Sequence, residues 1–102
     1  MSADYATTIR RHRRLAILRF LADSPGYTSN ESLITDVLNS DDIGIQSSRD
    51  QVRTEVQWLA EQGFATIGGS TDFMVAVATV AGVDVARGRA AHSDIQRPSP
   101  RR

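Results

Sequence analysis

The stretch SSRDQVRTEVQWLAEQGFATIGG, residues 47–69, decides the fold that the sequence predicts. Ser48, followed three residues later by Gln51, is a capping-box pattern that marks the start of a helix. Apolar residues then recur at helical spacing, at Val52, Val56 and Leu59. Gly63 suits the position just past a helix end, and residues 64–67 form a short, mostly apolar run. The stretch therefore predicts an amphipathic helix followed directly by a strand.

Two further helices are predicted before this stretch. The first covers about residues 4–22 and is broken by a serine–proline–glycine triplet at 24–26. Thr28 with Glu31 gives a second capping-box pattern, which predicts a helix that ends near Asn39.

A hairpin and a last helix are predicted after it. Residues 64–67 and 73–78 read as two strands joined by a glycine-led loop, and a helix is expected from Val80 to about Ala91. Residues 92–102 contain two prolines and little apolar content, which predicts a flexible basic tail. The predicted fold is α+β and mainly helical, with one domain over residues 1–91.

Composition narrows the classes of protein. A chain of 102 residues with 40% hydrophobic residues is sufficient for one core. No cysteine is present, which excludes disulfides and thiolate metal sites. The sequence has neither an apolar run of the roughly 18 residues that span a membrane nor a secretory signal pattern. We therefore expect a cytoplasmic protein.

No catalytic or cofactor motif is recognisable. The sequence lacks a glycine-rich phosphate loop, a zinc-binding HExxH motif and a nucleophile beside an apparent base. The two histidines, His12 and His92, lie far apart and are expected to be solvated bystanders. We therefore expect neither an enzyme nor a metal or cofactor site.

The charges are unevenly distributed although they sum to zero. Residues 1–22 carry a net charge of +4 and residues 86–102 again carry +4, whereas residues 23–45 carry −5. All twelve basic residues are arginines. The run of four arginines among residues 10–14 opposes the dipole of the first helix. A bound nucleic acid, or the acidic segment of another subunit, would neutralise this unfavourable positive charge.

The order helix, helix, helix, hairpin resembles a winged helix-turn-helix domain, with a third helix that reads DNA and a hairpin wing. The segments RRLAILRFLADSPGYTSNESLITDVL, SRDQVRTEVQWLAEQGF and RPSP are similar to a family of small winged-helix proteins from Mu-like phages and prophages. Members of that family are often labelled ArsR-like. Metal-sensing ArsR repressors use cysteine or clustered histidine and carboxylate ligands, so this sequence departs from them and predicts no metal sensing.

The resemblance and the helical wheel together predict a DNA-binding surface. Short hydroxyls, amides and guanidinium groups on the third helix suit a major groove, and first-helix arginines suit phosphates. The alternative for each of these residues is a solvated helix face. The predicted DNA-contacting residues are Ser47, Ser48, Arg49, Gln51, Arg53, Thr54, Gln57, Arg10, Arg11, Arg13 and Arg14.

A rival interpretation is a protein-interaction module with the same fold, acting as an adaptor in phage assembly or DNA packaging. Asp50 on the third helix and a predicted wing without any basic residue favour it. Leu15 and Leu18 lie off the main apolar face of the first helix, where they either belong to a centrally packed helix or face a second subunit. Trp58 either packs at the domain boundary or anchors a partner.

A DNA-binding regulator with this fold is expected to be a homodimer, joined through the first and last helices.

Overall fold

A computed structural model describes residues 4–99, and its elements confirm the α+β class. The α-helices are α1 (Tyr5–Ala22), α2 (Glu31–Leu38), α3 (Arg49–Glu61) and α4 (Val80–Ala86), and a short 3₁₀ helix spans Pro25–Tyr27. The strands are β1 (Thr28–Asn30), β2 (Ala65–Ser70) and β3 (Phe73–Ala78). They form one antiparallel sheet in the order β1-β3-β2.

The core is built around α1, which contacts the other three helices and the sheet. Ile17, Leu18 and Leu21 have no exposed surface. A helix covered on several sides must be apolar around most of its circumference, which explains the run LAILRFLA at residues 15–22. The predicted inner face of α3 is confirmed, because its valines and Leu59 are buried in the same core.

The start of α2 differs from the prediction. Asn30, and not Thr28, caps the helix by accepting a hydrogen bond from the Leu33 amide at 2.9 Å. Asparagine is as good a cap as threonine, and Thr28 is instead held in β1, paired with Val77 of β3. This third strand was not predicted, because three polar residues show no strand pattern. The shift places Glu31 in the first turn of α2.

The start and end of α3 confirm the local prediction. The Ser48 hydroxyl accepts the Gln51 amide at 3.1 Å, and the Gln51 side chain accepts the Ser48 amide at 2.9 Å. Gly63 adopts a positive φ of 84°, and the Phe64 amide donates back to the Leu59 carbonyl at 2.9 Å. These are the two bonds of a capping box and the outer bond of a Schellman ending.

The last helix is shorter than predicted. It ends at Ala86 rather than near Ala91, because Gly88 has a φ of +79° and the Arg89 amide turns back to the Asp84 carbonyl at 2.8 Å. Glycine at this position ends a helix in the same way as Gly63 does.

The segment after α4 is packed on the domain, so the predicted flexible tail is wrong for the described residues up to Gln96. Ile95 is 1% exposed and belongs to the core. The Gln96 amide donates to the Arg11 carbonyl at 3.1 Å, and Arg14 donates to the Asp94 carbonyl at 3.0 Å. Residues 100–102 of the predicted tail lie outside the described residues.

Replacing Ile95 with alanine tests this packing. We expect Ile95→Ala to lower the free energy of unfolding by about 2–4 kcal/mol, because it removes buried methyl groups and leaves a cavity. Ile43→Ala, at a side chain that is 42% exposed, is the matched control and should change stability by less than about 0.5 kcal/mol. Urea unfolding measures both, and equal small effects would contradict the docked segment.

A second stability test concerns the junction of α4 with the end of α3. A Cβ placed on Gly82 would lie 2.0 Å from the Phe64 carbonyl oxygen. We therefore expect Gly82→Ala to cost roughly 1–3 kcal/mol through overpacking, although alanine normally favours a helix. Gly68→Ala, which meets no atom within 4 Å, should be close to neutral in the same thermal unfolding experiment. A stabilised Gly82→Ala variant would show that α4 sits farther from Phe64.

Candidate nucleic-acid interface

The outer face of α3 is uncovered in the fold. Asp50, Thr54 and Gln57 lie one above another at spacings of four and three residues, and all three are exposed. None of their side chains makes a hydrogen bond to another described residue. This stripe is therefore free to meet a partner molecule.

The turn before α3 is held by Arg13 of α1. Its guanidinium donates to the Ser47 hydroxyl at 2.8 Å and to the Gln46 carbonyl at 3.2 Å. Asn39, the C-cap of α2, hydrogen-bonds both main-chain groups of Ser47 from the other side. Ser47 is therefore a structural residue of this turn.

Arg13 is a buried cation with no acid within ion-pair distance among residues 4–99. Burial lowers the pKa of Arg13, nearby Glu55 raises it and Arg10 lowers it. An arginine remains protonated in proteins even so. Its positive charge therefore adds to the positive end of the α3 dipole, in which the first amides already favour an anion.

Glu31 joins three elements beside α3. Its carboxylate accepts Arg49 at 3.1 Å and Arg53 at 2.6 Å, and it also accepts the main-chain amide of Met74 in β3. Arg53 continues to the carbonyl of Thr71 in the hairpin turn at 3.0 Å. One buried carboxylate thus holds α2, α3 and the hairpin together.

The ionised form of Glu31 is stabilised although the side chain is only 2% exposed. Burial alone would raise the pKa of this carboxyl group, but the Met74 amide and the guanidinium groups of Arg53 and Arg49 lower it below its usual value. A buried charge with several donors avoids the large cost of an unpaired one.

Glu55 makes a second buried cluster on the opposite flank of α3. It accepts Arg14 at 2.8 Å and lies 3.6 Å from Arg10. The Arg14 guanidinium lies 3.8 Å from the ring centroid of Trp58, and His92 meets the same ring edge-to-face with centroids 5.3 Å apart. Trp58 therefore packs at the domain boundary, and His92 is part of the fold rather than a solvated bystander.

Four predicted contact residues are buried within the domain. Arg13 and Arg14 are buried and hydrogen-bonded within the domain, which leaves little of either guanidinium group for a phosphate, and phosphate contact by them stays a prediction. Leu15 and Leu18 are buried where α1 meets the rest of the core, so they do not face a second subunit. α1 also packs on α4 within one chain, but both helices keep exposed residues, so the predicted dimer contact through these helices stays a prediction.

Apart from Ser47 in the turn and Arg11, whose carbonyl accepts the Gln96 amide of the segment after α4, the remaining predicted DNA-contacting residues fall on or beside the outer face. Arg10, Ser48, Arg49, Gln51, Thr54 and Gln57 are exposed, and Arg11 and Arg53 are partly buried. DNA contact by these residues stays a prediction. The structure brings most of them to the N-terminal half of α3, although the Gln51 carbonyl oxygen is already used in the capping box.

The two buried glutamates were missed by sequence reasoning. Glu55 lies three residues after Val52 and four before Leu59, which places it on the inner side of α3 in a helical wheel. Its burial could therefore have been predicted from the spacing. Glu31 carried no such signal, because its burial depends on the unpredicted strand β1 and on β3.

The charges around the N-terminal half of α3 do not cancel. Arg10, Arg13, Arg14, Arg49 and Arg53 surround it, whereas the acids there are Glu31, Asp50, Glu55 and Asp72, which lies between the two hairpin residues that Arg53 and Arg49 reach. Five arginines against four acids leave a net charge of +1. The Arg49 side chain is 51% exposed, so part of this charge faces the solvent.

Replacing Glu31 with glutamine tests the cluster. We expect Glu31→Gln to lower the free energy of unfolding at pH 7 by about 2–3 kcal/mol, less than a fully buried broken pair costs, because Arg49 and Arg53 can reach water. Asp36→Asn, at an exposed acid, is the matched control and should be near neutral.

The same pair of variants tests the lowered pKa. Because folding depresses the pKa of Glu31, its contribution is fully present above the ordinary value of 4.5 and is lost as pH falls through the lower folded value. The stability difference between wild type and Glu31→Gln should therefore stay constant above about pH 5 and shrink in more acidic solution. A difference that grows on acidification would contradict an ionised Glu31.

Within residues 4–99, no three histidine, aspartate or glutamate side chains are grouped as metal ligands would be. No helix in that range combines the length and the apolar character needed to cross a bilayer.

Comparisons with known proteins identify relatives of this chain. No protein-family model matches the sequence, and no solved structure matches it. The chain is 45% identical over 89 residues to the "Uncharacterized protein gp26" of Escherichia phage Mu, which covers 87% of this chain and 90% of the phage protein. It is 47% identical over 77 residues to an "Uncharacterized protein" of Haemophilus influenzae, which covers 74% of this chain and 72% of that protein. The chain therefore belongs to the family of the phage Mu protein gp26.

Proposed function

We propose that this protein is a winged-helix DNA-binding protein of Mu-like phages and prophages, a transcriptional regulator that senses no metal. In this proposal α3 enters the major groove, N-terminal half first, and the β2–β3 hairpin is the wing. Gene regulation from two half-sites would need a dimer, whose contact would lie on surfaces other than Leu15 and Leu18.

The observation that carries the proposal is the net positive charge around the N-terminal half of α3, beside an uncovered polar stripe. Duplex affinity comes mainly from neutralised phosphates, and reading helices commonly present their N-terminal residues to the bases. The arrangement supplies both requirements at one end of one helix.

Arg53 also accounts for a wing without basic residues. Because its guanidinium reaches the carbonyl of Thr71, a positive charge from α3 lies at the tip of the hairpin. The hairpin residues therefore need not supply their own arginine. Arg49, held by the same carboxylate, lies 5.8 Å from the ring of Phe73 and extends this positive edge along the hairpin.

A second candidate is the adaptor function, which one observation favours. Asp50 lies at one end of the exposed α3 stripe, Glu61 lies one turn beyond its other end, and Asp72 is exposed in the hairpin turn. Acids at these positions repel phosphate but suit a basic protein partner. DNA binding and its salt dependence separate the two candidates.

The test is a titration of the protein with a mixed-sequence DNA duplex. Binding is monitored by the fluorescence anisotropy of labelled DNA and by residue-resolved NMR. We expect binding that weakens steeply from low to physiological salt, with NMR shifts over residues 47–57. Arg10→Ala should reduce the slope of log affinity against log salt by about 0.9, the value for one lost phosphate contact.

Arg89→Ala is the matched control. Arg89 is a similarly exposed arginine that lies beyond the end of α4 and pairs with Asp84 of that helix. It should leave affinity and slope unchanged. No binding at low salt would refute the proposal and leave the adaptor function. Equal losses in both variants would indicate non-specific adhesion to a basic protein.

A further inference from the structure

The arginines beside α3 are committed to fixed partners, whereas its outer stripe is not. Arg53 spans Glu31 and Thr71, and Arg49 is tied to Glu31 through its Nε. Both side chains lie on the flank of the helix that faces the hairpin. Asp50, Thr54 and Gln57 occupy the centre of the exposed face without such bonds among residues 4–99.

From this separation we infer that α3 distinguishes sequences through Asp50, Thr54 and Gln57, and that its target presents cytosine and adenine edges rather than guanine to the helix. The inference rests on the proposed DNA-binding function. The arginines then contact the backbone on the wing side.

The chemistry of each side chain supports this assignment. A carboxylate can only accept hydrogen bonds, so Asp50 selects the amino group of cytosine N4. The amide of Gln57 matches the acceptor and donor of adenine N7 and N6, and the methyl group of Thr54 can contact the methyl group of thymine. Guanine offers only acceptors in the major groove and is most often read by arginine or lysine, which this stripe does not contain.

The spacing of the three residues suits a short target. In zinc-finger helices, side chains spread over about seven helical positions contact three successive bases. The α3 stripe has a similar spread and therefore faces about three consecutive base pairs. Glu61 lies one turn farther along, in the last turn of α3. It is therefore far from the N-terminal end of the helix, which enters the groove first.

The experiment is selection of bound sequences from a randomised duplex pool, done with wild type and with Asp50→Asn. Asparagine pairs with adenine as glutamine does, so the variant should change one position from cytosine to adenine and leave the other positions unchanged. Discrimination at that position should be roughly 10- to 100-fold in both proteins.

Glu61→Gln is the matched control, since it also neutralises an exposed acid of α3 but lies one turn beyond the stripe. It should raise affinity for every sequence without changing the selected bases. Arg49→Ala should lower affinity for all sequences and likewise keep the selected bases. Circular dichroism of each variant checks that the fold is intact.

The outcomes separate the inference from the function on which it rests. A selected G·C pair whose preference disappears in Arg49→Ala or in Arg53→Ala, and not in Asp50→Asn, would overturn the inference and leave DNA binding intact. Bound DNA without any base preference would overturn it too. A pool from which nothing is retained at low salt would instead refute the proposed function.

Discussion

The carboxylate of Glu31 is the constraint on which the arrangement of α3 depends. It is buried at the start of α2, where it accepts two guanidinium groups from α3 and one main-chain amide from β3. The donors come from two elements that are distant in the sequence, so the carboxylate links the helix to the hairpin. A neutral side chain of the same size could fill the space but could not hold both arginines at once.

The second cluster, around Glu55, explains why α1 tolerates so many arginines. A run of like charges in the first half of a helix opposes the dipole and is self-repulsive. Here two of the four arginines of this run are buried against α3 and the segment before it, with Glu55, Ser47 and Gln46 as acceptors. Part of the arginine run that suggested nucleic-acid binding therefore forms contacts inside the domain. The exposed arginines of this run, together with Arg49, are available to a ligand.

Local features could be predicted from the sequence, whereas long-range ones could not. The capping box at Ser48, the glycine ending at Gly63 and the apolar spine of α3 each depend on residues a few positions apart, and each was confirmed. The pairing of β1 with β3 and the docking of Ile95 depend on segments more than 40 residues distant, and local polarity concealed both. The candidate site divides in the same way: the exposed stripe follows from the helical wheel, but the partners of Arg13, Arg49 and Arg53 are set by tertiary packing.

The surroundings of Trp58 make its fluorescence a probe of how the last segment packs on the domain. It is the one tryptophan in the sequence, and it touches the guanidinium of Arg14 and the ring of His92. These neighbours belong to α1 and to the segment after α4, so the indole lies where three separate parts of the chain meet. Its emission spectrum would therefore respond when the last segment detaches, even while the helices remain folded, and it could follow that local opening without any attached dye.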